Sequence, residues 1–196
     1  MGERLRRFAL SYFVSPEAPH FGGDGCPSTV AHRMSEHPRV EVIIEIPKGS
    51  RNKYEMDHET RKIWLDRYLY TATTYPADYG FFEDTLGGDG DPLDALILMS
   101  ESTFPGCHLW ARPVGVFHME DEAGDDAKVL CVLAGDPRWE HVQDLADVDQ
   151  HFLDEIGHFF EVYKALEPGK MSEIGHWEDA ESARKEITEA QERYKG

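Results

Sequence analysis

Three carboxylates fall within the six-residue string Asp89-Gly90-Asp91-Pro92-Leu93-Asp94. Held this close they repel one another, and a hard cation would relieve the repulsion; oxygen ligands of this kind suit Mg²⁺. Gly90 permits a tight backbone turn and Pro92 stiffens it. A solvated acidic turn fits the short string equally well, so the loop alone decides nothing. It does exclude an EF-hand, which needs an oxygen ligand at position five, glycine at six and glutamate at twelve. Counted from Asp89, those positions hold Leu93, Asp94 and Ser100. A sugar-transfer D-x-D motif would need a larger domain than 196 residues provide.

A second acidic cluster, Asp121-Glu122-Ala123-Gly124-Asp125-Asp126-Ala127-Lys128, follows the β-rich run 114–119 and reads by itself as a hairpin loop. Two such loops at strand ends could face one barrel mouth and supply ligands to more than one metal. Cations and phenols are interleaved with the acids. Lys53 and Glu55 flank Tyr54, so alternation places both on one strand face. Asp66-Arg67, Tyr75-Pro76-Ala77-Asp78-Tyr79-Gly80 and Tyr163-Lys164 add an arginine, three phenols and a lysine. Each alone fits a surface ion pair or a core tyrosine. Together, carboxylates with Lys, Arg and Tyr can bind metal ions and a polyanionic phosphate at once.

These residues need strands and helices to position them. Residues 40–46 are rich in β-branched residues and stop at Pro47 and Gly49; residues 63–65, 95–99, 107–119 and 128–133 continue the strand pattern. Short strands with Gly and Pro turns suggest a small barrel. Farther on, Phe152, Ile156, Phe159, Phe160, Tyr163 and Leu166 form one apolar helical stripe that Pro168-Gly169 stops. Ala180, Ala183, Ile187, Ala190 and Tyr194 mark a second, weaker helix. Strands first and helices after imply an α+β fold.

Composition narrows the partners. The formal net charge is -18, which argues against nucleic acid and favours cations, or anions that arrive with cations. Four of the 20 basic residues but only three of the 38 acids lie in positions 1–33, so the acidity belongs to the rest of the chain. Residues 1–38 hold scattered Gly, Pro and Ser without a period. They read as a disordered extension or an upstream mis-called start, Met34 being a candidate start, with a single domain over 39–196. Three cysteines, Cys26, Cys107 and Cys131, lack the spacing of a zinc site or a disulfide framework, which fits a reducing cytoplasm. No apolar run is long enough to span a bilayer, and residues 1–10 lack the apolar stretch of a secretory signal.

The acidic loop resembles the D-G-D-P-x-D signature of family I soluble inorganic pyrophosphatases. It does not stand alone. Glu45-Ile46-Pro47, Lys53-Tyr54-Glu55, Asp66-Arg67, Tyr75-Pro76 with Asp78-Tyr79-Gly80, Arg112-Pro113-Val114-Gly115, Asp121-Glu122 with Asp126-Ala127-Lys128, and His158-Phe159-Phe160 with Tyr163-Lys164 follow in the family's order over roughly residues 40–195. The chain is most similar to bacterial, especially actinobacterial, members. The resemblance implies an OB-like five-stranded β-barrel with C-terminal helices packed on it, a homohexamer, and several Mg²⁺ ions per active site, with Mn²⁺ or Zn²⁺ as possible substitutes. It implies Glu45, Asp89, Asp94, Asp121 and Asp126 as metal ligands. Lys53, Arg67, Tyr79, Lys128, Tyr163 and Lys164 would bind phosphate, with Glu55 and Tyr75 in support. Asp91 would be the general base, with Asp126 as the alternative.

The reaction implied is hydrolysis of pyrophosphate to two orthophosphates by direct attack of a metal-activated water. Two rival classes fit the residues less well. A Ca²⁺- or Mg²⁺-binding module without catalysis explains the acids but not Lys53, Arg67 and Lys164 beside them. A hydrolase of nucleoside triphosphates or diphosphate sugars lacks its marks: there is no Gly-x4-Gly-Lys-Ser/Thr and no Nudix-like helix of glutamates. His58 reads as exposed.

Overall fold

The structure, a computed structural model, describes residues 39–121 and 124–196, without the side chains of Asp121 and Ile174. The expected extension over 1–38 lies outside the described residues. Five strands close into a ring: β1 (Val40–Ile46), β4 (Asp78–Phe82), β5 (Asp94–Leu98), β7 (Gly124–Leu133) and β6 (His108–Asp121), in the order β1-β4-β5-β7-β6 with β1 paired to β6. A further strand, β8 (Ser172–Glu178), adds to the outer side of β6. A separate hairpin joins β2 (Asn52–Asp57) to β3 (Lys62–Tyr68). Helix α1 (Gln150–Val162) precedes β8, and α2 (Ala180–Lys195) ends the chain. The fold is the expected α+β barrel with helices.

Residues 95–98 of β5 and 129–132 of β7 are continuous apolar runs because both faces of these strands are covered. On β5, Leu96 and Leu98 join a cluster that α1 completes with Leu153, Ile156, Phe159 and Phe160, whereas Ala95 and Ile97 join one that α2 completes with Ala183, Ile187 and Ala190. Leu130 and Val132 against Val129 and Cys131 repeat the division on β7. Each large apolar side chain so buried contributes about 1.5–3 kcal/mol. Side-chain caps begin both helices: Asp149 accepts from His151 N–H, and Asp179 from Ser182 N–H.

Several local expectations change. Helix α1 stops at Val162, so Tyr163 is its C-cap, Lys164 lies in the turn beyond, and Leu166 is exposed rather than part of the stripe. Tyr194 is also exposed. The second acidic cluster is mostly strand, since Asp121 pairs with Gly124 and the residues from Gly124 onward belong to β7. Strands β4 and β8 carry no clear alternating pattern and are new. Position 80 in β4 must be glycine, because a Cβ there would lie 1.9 Å from the carbonyl oxygen of Ile43 in β1.

Candidate active site

One cavity of about 240 Å³ collects twelve of the fourteen residues singled out from the sequence: Glu45, Lys53, Glu55, Tyr75, Tyr79, Asp89, Asp91, Asp94, Asp126, Lys128, Tyr163 and Lys164. A cavity of about 330 Å³ elsewhere, lined by Ile97, Met99, Trp139 and Phe152 among others, offers no comparable convergence of acids and lysines.

Backbone irregularity places the first acid. The β1–β4 register shifts between Ile44 and Ile46, so Glu45 is the extra residue of a β-bulge. Its carboxylate accepts from Met56 N–H at 2.6 Å. Burial, with Asp94 and Glu55 nearby, pushes its pKa up to about 7 despite that hydrogen bond.

The loop between β4 and β5 supplies three more. Gly90 takes a φ of +95°, and Asp89 caps the turn by accepting from Asp91 N–H at 3.1 Å. Gly88 lets the loop approach β7: a Cβ there would lie 2.8 Å from the Asp125 carbonyl oxygen. Asp91 is solvent-exposed, yet partial desolvation and the charges of Asp89 and Glu55 raise its pKa above the usual carboxylate range. Asp94 opens β5 opposite Lys128 of β7.

Lys128 is fully buried and donates to Asp94 at 2.6 Å, Asp126 at 2.7 Å and Tyr79 Oη at 3.1 Å. Burial alone would lower its pKa, but Asp94 and Asp126 outweigh burial and hold it raised. Tyr79 in turn donates to Asp94. Burial lifts the pKa values of Tyr75, Tyr79 and Tyr163, so these phenols stay protonated as donors. Tyr75, Phe159 and Tyr163 pack in a ring cluster that ties the end of α1 to the cavity wall.

Two of the fourteen stand apart. Arg67 does not line the cavity; it pairs in register with Lys53, and its Nε donates to Glu167 at 2.9 Å. Asp121 ends β6, and its side chain is outside what the structure describes. Residues not singled out as site residues also border the cavity. His58 is exposed as expected, but it lines the cavity and meets Phe81 edge-on with centroids 4.9 Å apart. Tyr54, Phe81 and Phe160 complete the apolar wall, and Glu167 anchors Arg67. Only position gives them away, since their types carry no distinctive signal.

The donor set fits hard divalent cations. Glu45, Asp89, Asp94 and Asp126 are oxygen donors crowded into one cavity, and the raised pKa of Glu45 marks a carboxylate that burial first, and Asp94 and Glu55 second, disfavour as an anion and that a cation would stabilise. The lysines and phenols around them are suited to phosphate oxygens.

The family model described as inorganic pyrophosphatase matches residues 42–195. The chain is 59% identical over 145 residues to the inorganic pyrophosphatase of Leifsonia xyli subsp. xyli, covering 74% of this chain and 89% of that one. It is 57% identical over 155 residues to that of Streptomyces coelicolor, covering 79% and 95%. Among solved structures, the inorganic pyrophosphatase from Thermus thermophilus superposes with a TM-score of 0.79 at 47% identity, covering 83% of this chain and 95% of that one.

Proposed function

The chain belongs to the inorganic pyrophosphatase family and hydrolyses inorganic pyrophosphate to two orthophosphates, and we propose that it does so in the 240 Å³ cavity with Mg²⁺ as the metal. The observation that carries the assignment is the convergence there of six carboxylates with three lysines and four tyrosines. A pure cation trap has no use for the lysines, and a pure anion site has no use for the carboxylates.

In this reading Glu45, Asp89, Asp94, Asp121 and Asp126 hold the metals. When bound, the metals supply a water of lowered pKa and neutralise charge on the substrate. Asp91 orients the attacking water and takes its proton, a role its raised pKa supports. The water oxygen bonds to one phosphorus as the bridging P–O bond breaks, and the second orthophosphate leaves. Lys53, Arg67, Lys164 and Tyr163 donate to phosphate oxygens, while Lys128 and Tyr79, protonated throughout, steady the leaving group. Glu55 orients Lys53, with which it forms an ion pair. Tyr75 packs against Tyr79 with ring centroids 5.4 Å apart and supports it. No covalent intermediate with the protein is required.

A homohexameric assembly and a cytoplasmic location belong to the same reading, supported by the family resemblance. Among the described residues no helix is long and apolar enough to cross a membrane. The test is phosphate release from pyrophosphate with Mg²⁺, with ATP as parallel substrate. Release from pyrophosphate that far exceeds release from ATP is expected; folded protein that binds Mg²⁺ but releases no phosphate would overturn the assignment.

A further inference from the structure

A second constellation of ligands lies away from the catalytic cavity, on the seam between β6 and β8. His176 and Glu178 are two residues apart on β8 and therefore share a face. Across from them the β6–β8 register breaks between Phe117 and Met119, so His118 sits at an irregularity that faces Gly175 and His176. Gly175 permits this approach: a Cβ there would lie 2.7 Å from the His118 carbonyl oxygen. The two imidazoles stack with centroids 5.2 Å apart and planes inclined by 25°. Glu178 Oε1 lies 3.0 Å from His176 Nε2, and Oε2 lies 3.8 Å from His118 Nε2.

We propose that His118, His176 and Glu178 form a binding site for a borderline divalent cation of the Zn²⁺ class, separate from the metals of the catalytic cavity. The ligand type distinguishes the two. The catalytic set is all oxygen, which suits Mg²⁺, whereas two imidazoles and one carboxylate suit Zn²⁺, Ni²⁺, Co²⁺ or Cu²⁺. The donor atoms of the three side chains all lie within 4.8 Å of one another. A tetrahedral ion with bonds of about 2.0–2.1 Å needs its ligand atoms roughly 3.3 Å apart. Small side-chain rotations close that gap, and all three groups are at least partly exposed and able to make them. A fourth position remains for water. The adjoining cleft is bordered by Glu120, Asp125 and Glu173, whose charge concentrates cations beside the three ligands. An ion held here would pin β8 to β6, the strand that runs on to Asp121.

Titration of the full-length chain with Zn²⁺ in excess Mg²⁺, followed by calorimetry, tests the site. Wild-type protein takes up one Zn²⁺ per chain that His176→Ala and Glu178→Gln each weaken by roughly 100-fold, at or above the loss expected from disturbing only an outer-shell partner. Both variants retain Mg²⁺-supported hydrolysis, which reports their folding, and Asp89→Asn retains the His176-dependent Zn²⁺. Zn²⁺ binding of equal stoichiometry and affinity in wild type, His176→Ala and Glu178→Gln would overturn the proposal. Because hydrolysis in Mg²⁺ is read separately, failure of this site and failure of the catalytic assignment are distinguishable.

Discussion

Asp94 and Lys128 face one another in register across the parallel pair β5–β7, and their side chains close to 2.6 Å inside the cavity. Lys128 also holds Asp126, so one buried ammonium serves two of the proposed metal ligands. Replacing it by methionine removes that ammonium from both carboxylates. Loss of one partner from a buried charge pair costs about 3–5 kcal/mol. Thermal unfolding of Lys128→Met should show that loss without metal and recover more stability than wild type when Mg²⁺ is added. Equal unfolding in the two proteins without metal would argue against the pairing.

Asp91→Asn removes a proton acceptor while leaving the turn around Gly90 in place. Turnover should fall by about 10²–10⁴, the usual contribution of general base catalysis, while calorimetry shows near wild-type Mg²⁺ binding and an unchanged Tm. Retained turnover would move the role of base to Asp126.

Glu45 gives the metal-free protein a pH dependence of defined sign. Its pKa is about 7 in the folded chain against 4.5 for the ordinary group. The folded state therefore holds its proton more tightly than the unfolded chain. The contribution to stability is full below the ordinary value and is lost as pH rises through about 7, amounting to roughly 3 kcal/mol at one pKa unit per 1.36 kcal/mol. Denaturant unfolding in chelator should show that decline between the two values, and Glu45→Gln should remove it. Mg²⁺ binding at mildly acidic pH should likewise release a proton in wild type and none from this position in the variant.

Arg67, outside the cavity lining and with Glu167 fixing its guanidinium, is proposed to donate to the substrate. Arg67→Lys keeps the charge and loses the planar fork. A drop in kcat/KM of roughly tenfold or more is expected, the scale of one charged hydrogen bond. Unchanged steady-state kinetics would remove Arg67 from the substrate set.

Deletion of residues 1–33 should leave kcat, KM and Tm as they are, because the proposed site draws on residues 45–164 alone. A large loss of activity would give the segment a role in catalysis.

Much of this was legible in the residues themselves. The acidic loop, the lysines and the tyrosines stand at motif positions, and residues 40–46 declare a strand by their β-branched run. What escaped was governed by partners distant in sequence. Strand β4 is held by the fit of Gly80 against Ile43, and no local period announces it. Strand β8 carries polar residues because it lies along the outer side of β6. Asp126 reads as part of a hairpin loop that ends at Lys128, where the strand pattern begins, yet their alternation on β7 is what brings both onto the cavity face. His58 has an ordinary exposure and an unordinary location, which only the folded chain discloses.

The bulge at Glu45 has a consequence for how the strand can change. Val42 and Ile44 pack in the cluster with α2, but Ile46 packs in the cluster with α1. One extra residue reverses the phase of β1 and delivers the carboxylate in the same stroke. Forced into regular alternation, the same sequence would turn Ile46 toward α2 with Val42 and Ile44; deleting the extra residue would keep Ile46 on its present face but withdraw the acid. The acid's placement is thus bound to the length of the strand: β1 cannot lose its extra residue without losing a carboxylate from the cavity.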